Sequence, residues 1–161
     1  MRVIEGTSAA TGLRVALVVS KFNDFVTDRL QAGAVNALVG AGMDPTDITV
    51  VRVPGAFEIP IAAQHAAASG AFSAIVCLGC IVRGETPHFD YLASAVSRGI
   101  TAAAAETRVP MAFGVLTTNS IEEAIARAGE GSANKGWEAA VAAIEMVGVV
   151  AQLGHRHPPS Q

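Results

Sequence analysis

Five consecutive residues, Gly84-Glu85-Thr86-Pro87-His88, combine the parts of an anion site with a group able to carry protons. Thr86 is a favoured helix N-cap and Pro87 a favoured first helical residue, so the segment predicts a helix start with free N–H groups pointing outward. Such an end holds phosphate through those N–H groups and the positive end of the helix dipole. Arg83-Gly84-Glu85 supplies a flexible turn ahead of it. His88 then falls in the first turn, where the dipole favours a neutral imidazole that can accept a proton, while Glu85 and Asp90 act in the opposite sense. The plain alternative is a capped helix with a surface histidine.

Three other loops carry chemistry-bearing residues. In Ser20-Lys21-Phe22-Asn23, Phe22 is placed either to stack on a planar heterocycle or to staple the next helix. In the run from Val53 to Pro60, Gly55 and Ala56 let a ligand approach the backbone, and Glu58 either accepts hydrogen bonds from hydroxyls or caps a helix. Arg127 either clamps a phosphate or favours the negative end of its helix. The segment Gly129 to Gly136, with Lys135, superficially suggests a nucleotide phosphate loop. It lacks a glycine before the lysine and a hydroxyl after it, so nucleoside triphosphate hydrolysis is excluded.

Elements that would bring these loops together can be read from the periodicity. Leu13–Val19, Ile48–Val53, Phe72–Val82 and Met111–Leu116 are apolar, β-branched runs of strand length. Between them lie helical patterns. The first is capped by Asn23, carries Val26, Leu30, Ala34, Ala37, Leu38 and Ala41, and ends at Gly42. The next run from Glu58 to Ala68 and from Pro87 to Glu106. Ser120-Ile121-Glu122-Glu123 matches a capping box opening a helix that ends at Gly129. A last helix, about 134 to 153, carries Trp137, Val141, Ile144, Val147 and Ala151 on one side.

This alternation predicts an α/β fold: a three-layer αβα sandwich, flavodoxin-like, around a four-stranded parallel sheet, in one domain over residues 1–154 with a disordered tail at 155–161. Arg2-Val3-Ile4 stands outside the rhythm and is expected to add as an edge strand to its own sheet or that of a neighbouring subunit. In such sheets ligands bind beyond the strand carboxyl ends, so the loops after Val19, Val53, Val82 and Leu116 are expected to share one site.

Composition narrows the function classes. Charged residues make up 16% of the 161-residue chain against a usual figure of about 25%, which predicts apolar surface covered by self-association. A net charge of −3 gives no electrostatic footprint for nucleic acid. The start lacks an apolar leader and the run Ala71–Val82 is too short to span a bilayer, so a cytoplasmic protein without membrane contact is expected. Cys77 and Cys80 form a C-x-x-C inside a strand, where positions three apart face opposite ways; buried thiols fit better than a metal or redox site.

Taken in order, Ser-Lys-Phe-Asn at 20–23, Val-Pro-Gly-Ala-Phe-Glu-Ile-Pro at 53–60, Gly-Cys-Ile-Val-Arg-Gly-Glu-Thr-Pro-His-Phe-Asp-Tyr at 79–91, Phe-Gly-Val-Leu-Thr at 113–117, Arg-Ala-Gly at 127–129 and Asn-Lys-Gly at 134–136 closely resemble the 6,7-dimethyl-8-ribityllumazine synthase family. The resemblance covers nearly the whole chain. It implies condensation of 5-amino-6-(D-ribitylamino)uracil with 3,4-dihydroxy-2-butanone 4-phosphate, releasing phosphate and water, without metal or organic cofactor. It assigns Phe22, Gly55, Ala56, Phe57, Glu58, Cys80, Ile81, Val82, Phe113 and Lys135 to the uracil and its ribityl chain. Gly84, Glu85, Thr86 and Arg127 are assigned to the phosphate, and His88 to proton transfer. It further implies identical subunits in pentamers or sixty-subunit cages, with Phe113 and Arg127 reaching the site from the adjacent subunit, and riboflavin synthase as a candidate partner. Two rival readings are a flavin-holding module without turnover, for which His88 would have no use, and a shell-forming structural protein.

Overall fold

The computed structural model describes residues 1–154; the expected tail lies outside them. Four strands, β1 (Val15–Ser20), β2 (Ile48–Val53), β3 (Ala74–Val82) and β4 (Met111–Thr118), form one all-parallel sheet in the order β2-β1-β3-β4. Five helices connect and follow them: α1 (Asp24–Gly40), α2 (Ile59–Ala68), α3 (His88–Thr107), α4 (Ile121–Ala126) and α5 (Lys135–Gly154). This is the expected flavodoxin-like αβα arrangement.

The period-two alternation of the strands divides the core into two layers. Val15, Leu17 and Val19 of β1 and Val76, Leu78 and Cys80 of β3 pack with α1 and α5. Ala16 and Val18, with Ile75, Cys77 and Ile81, pack with α2 and α3. The two cysteines therefore lie on opposite faces, free and buried, as their spacing predicts.

Helix α5 packs differently from the expected pattern. Its buried face is Gly136, Ala139, Ala140, Ala143 and Ile144; Trp137 and Val147 lean on the core, while Val141 and Ala151 are exposed. The reason is the closeness of α1: a Cβ on Gly136 would lie 2.0 Å from the carbonyl oxygen of Leu30, so small residues, not large ones, define this face. By length and composition α5 could also cross a membrane, which the strand-length run at 71–82 does not reveal. Its small-residue face is spent instead on α1 and the sheet.

Arg2-Val3-Ile4 forms no strand in its own sheet. The residues that follow it lie against α5: Gln152 Nε2 donates to the carbonyl of Glu5 at 2.5 Å, and a Cβ on Gly6 would collide with the backbone of Glu145.

Gly136→Ala should lower stability by about 3 kcal/mol, read as a lower urea midpoint, because neither backbone can withdraw without opening the core. Burial pushes the Cys77 thiol up to about 12 and the Cys80 thiol up to about 11. Both should resist a disulfide reagent at pH 8 in the native protein and react at once in guanidinium. Because the folded chain keeps these protons above the pH at which the unfolded chain loses them, stability should fall as pH rises through 9 towards 11.

Candidate active site

The order β2-β1-β3-β4 makes the chain turn back between β1 and β3, and a crevice opens beyond their carboxyl ends. Three of the four expected loops meet there. Phe22 follows β1, Gly55 to Glu58 follow β2, and Gly84, Thr86 and His88 follow β3, around a cleft of about 410 Å³ floored by Cys80, Ile81 and Val82. The fourth loop contributes only the neighbouring Ile121.

Phe22 is 72% exposed, and its would-be staple partner four residues into α1 is the polar Thr27, whose hydroxyl donates to Ser20 O instead. Stapling is therefore not its role, and its ring is free at the mouth of the cleft. Backbone bonds from Lys21 N–H to Val53 O (2.8 Å) and Phe22 N–H to Pro54 O (3.1 Å) set its place.

Asn23 departs from its expected role as a side-chain cap. Its backbone is left-handed, φ 62°, and its side chain makes no capping bond; its carbonyl accepts from Val26 and Thr27. The freed amide Nδ2 donates to Cys80 O at 3.0 Å, tying the ends of β1 and β3 across the crevice. Asparagine tolerates this conformation better than most residues.

Glu58 likewise makes no capping bond at the start of α2. Its Oε2 instead faces Gly55, where a Cβ would come within 3.3 Å, and the carboxylate stays available as an acceptor.

The start of α3 also differs in detail. Pro87, with φ −69° and ψ 2°, occupies the N-cap position, its carbonyl accepting from Asp90 (3.1 Å) and Tyr91 (3.4 Å), so the helix begins at His88, one residue later than expected. Thr86 sits outside it in a bend and caps nothing, which leaves its hydroxyl to the cleft. His88 is exposed at the first turn and lines the cleft; Glu85 is exposed but does not line it.

Arg83, read as part of a flexible turn, is anchored on both sides. Its N–H donates to Thr118 O (2.8 Å) and its Nε to Asn119 Oδ1 (2.9 Å). Its guanidinium lies 4.4 Å from the centre of the Phe89 ring and 3.6 Å from Asp90. Phe89 and Leu92, which also line the cleft, escaped the sequence reading. Their signal was there: Leu92 lies four residues after His88, on the same helical face.

Phe113, Arg127 and Lys135 lie elsewhere. They border a second cleft, about 470 Å³, with Thr117 and Glu138 along β4. Because β4 is an edge strand, this cleft opens outward from the chain. Arg127 follows α4 as its C-cap, where its Nη1 donates to Glu123 O at 3.1 Å, in keeping with the helix-end reading. Lys135 Nζ pairs with Glu138 at 2.8 Å.

The 6,7-dimethyl-8-ribityllumazine synthase family model matches residues 12–151. A protein of that name from Syntrophus aciditrophicus (strain SB) is 52% identical over 151 residues, covering 94% of this chain and 98% of the relative. Another of the same name, from Desulfatibacillum aliphaticivorans, is 49% identical over 152 residues, covering 94% and 98%. The match takes in the whole sheet and both clefts, and the chain belongs to the 6,7-dimethyl-8-ribityllumazine synthase family.

Proposed function

We propose that this chain condenses 5-amino-6-(D-ribitylamino)uracil with 3,4-dihydroxy-2-butanone 4-phosphate to give 6,7-dimethyl-8-ribityllumazine, a step of riboflavin biosynthesis. The observation that carries the reading is the first cleft. It gathers an exposed aromatic ring, a free carboxylate, a helix start with an unused hydroxyl, and a histidine, within the volume range of small-molecule sites.

In this reading Phe22 stacks on the pyrimidinedione, and Gly55, Ala56 and Phe57 border the ring and ribityl chain while Glu58 accepts from hydroxyls. Cys80, Ile81 and Val82 form the floor. Gly84, Thr86 and the first turn of α3 receive the phosphate, with Glu85 in the same loop. The substrate amine attacks the ketone and water leaves as the imine forms. Elimination then expels phosphate, and ring closure releases a second water. Several protons move at one place, and His88 is the loop residue suited to carry them.

Arg127, Phe113 and Lys135 complete the pocket. Their outward-facing cleft on β4 supports delivery of Phe113 and Arg127 to the first cleft of an adjacent identical subunit. That arrangement is a head-to-tail contact of the kind that closes rings such as pentamers. Exposed apolar side chains, among them Phe57, Ile61, Tyr91, Met146 and Leu153, support self-association of the unit formed by residues 1–154. The N-terminal Arg2-Val3-Ile4, unpaired in its own sheet, remains available to a neighbour's edge strand. The water-soluble substrates, one of them a phosphate ester, suit a cytoplasmic setting.

Mixing the two substrates with the protein should produce a fluorescent lumazine well above the uncatalysed rate; a rate equal to the blank would reject the activity. His88→Ala should lower kcat by about a hundredfold with both KM values changed little. Arg127→Ala should raise KM for the phosphate-bearing substrate by about tenfold to a hundredfold, from loss of a charge-assisted hydrogen bond.

A further inference from the structure

Between Arg127 and Lys135 of the second cleft, the chain carries a buried and fully bonded side chain. Asn134 is 2% exposed, and every polar group it owns has a partner. Its Nδ2 donates to Gly129 O at 2.8 Å and to Arg29 O of α1 at 3.1 Å. Its Oδ1 accepts from the N–H groups of Gly136 (2.8 Å) and Trp137 (3.2 Å), which caps α5. Its own N–H donates to Gly131 O and its carbonyl accepts from Glu138, both at 3.1 Å. A carboxamide has two donors and one oxygen with two lone pairs, and all four directions are used here.

The partners belong to three pieces of chain. Gly129 and Gly131 lie on the connection that starts at Arg127, Gly136 and Trp137 open α5 beside Lys135, and Arg29 is on α1 in the core wall. One further bond, Lys135 N–H to Arg127 O at 2.9 Å, closes the connection on itself. The space is cut to fit: a Cβ on Gly33 of α1 would lie 2.3 Å from Asn134 Oδ1.

We propose that Asn134 is a positioning residue for the condensation. By its Nδ2 bonds it holds the connection carrying Arg127 at a set distance from α5 and Lys135, so that the guanidinium is presented ready-made to the phosphate of the substrate. The proposal rests on the reading of Arg127 as a phosphate ligand. A buried side chain with no spare bonding capacity has one geometry, and a loop tied to it inherits that precision.

Asn134→Asp separates positioning from capping. The carboxylate still accepts from Gly136 and Trp137 and suits a helix N-terminus, but it turns an acceptor towards the carbonyls of Gly129 and Arg29 and releases the connection. KM for the butanone phosphate should rise about tenfold or more, while KM for the ribitylaminouracil stays within about twofold. Asn134→Asp and Arg127→Ala combined should be clearly less than additive on that KM. Gly33→Ala, which displaces the carboxamide without changing it and adds helix propensity to α1, should raise the same KM.

Unchanged KM values in assembled Asn134→Asp and Gly33→Ala proteins, with only the yield of folded protein reduced, would make Asn134 a folding cap and overturn the proposal. Loss of assembly in both variants overturns it equally. If Arg127→Ala itself leaves KM for the phosphate substrate unchanged, the reading of Arg127 fails, a result distinct from either of these.

Discussion

An all-parallel sheet points every strand carboxyl end the same way, and the order of its strands decides which of those ends face each other. Here the order β2-β1-β3-β4 places β1 and β3 side by side at the reversal, with β2 beyond one and β4 beyond the other. Loops far apart in sequence, at Phe22, at Gly55 to Glu58 and at Gly84 to His88, therefore converge on one crevice. The bond from Asn23 Nδ2 to Cys80 O lies across that reversal and holds it closed from below.

The same order sends the fourth strand to the rim. Phe113, Arg127 and Lys135 face away from the crevice that their chemistry would serve, on a cleft bounded by an unpaired strand edge. Under the proposed function the two clefts are half-sites that look in different directions. On that proposal self-association serves the chemistry as well as covering apolar surface, and rigidity in each half matters because two molecules must register. Asn134 in one half, and the anchored Arg83 beside the other, meet that need with bonds to the core or to adjoining loops.

Much of this was legible in the residues. The apolar runs located all four strands, the Cys77 and Cys80 spacing placed the thiols on opposite faces, and the loops rich in glycine, proline and charge marked the crevice. What escaped depends on three-dimensional closeness. The buried face of α5 is made of glycine and alanine because α1 runs against it, and hydrophobicity alone favours Val141 over Gly136. The left-handed backbone of Asn23 and the one-residue delay at the start of α3 are local choices that the residue types permit but do not impose. The separation of Arg127 from His88 follows from strand order, which periodicity does not contain; the family resemblance alone implied it, by assigning Arg127 to the adjacent subunit.

Subunit complementation tests the two-half-site account most directly. His88→Ala damages one cleft and Arg127→Ala the other, so each variant alone has every site impaired. When the two are unfolded, mixed in equal amounts and allowed to assemble together, about a quarter of the contacts should join an intact His88 cleft to an intact Arg127 cleft, if the halves meet between adjacent subunits in one direction. The account predicts recovery of roughly that fraction of the unmodified protein's activity. Activity that stays at the level of the separate variants after verified co-assembly would mean that both residues act within a single chain, and would contradict it.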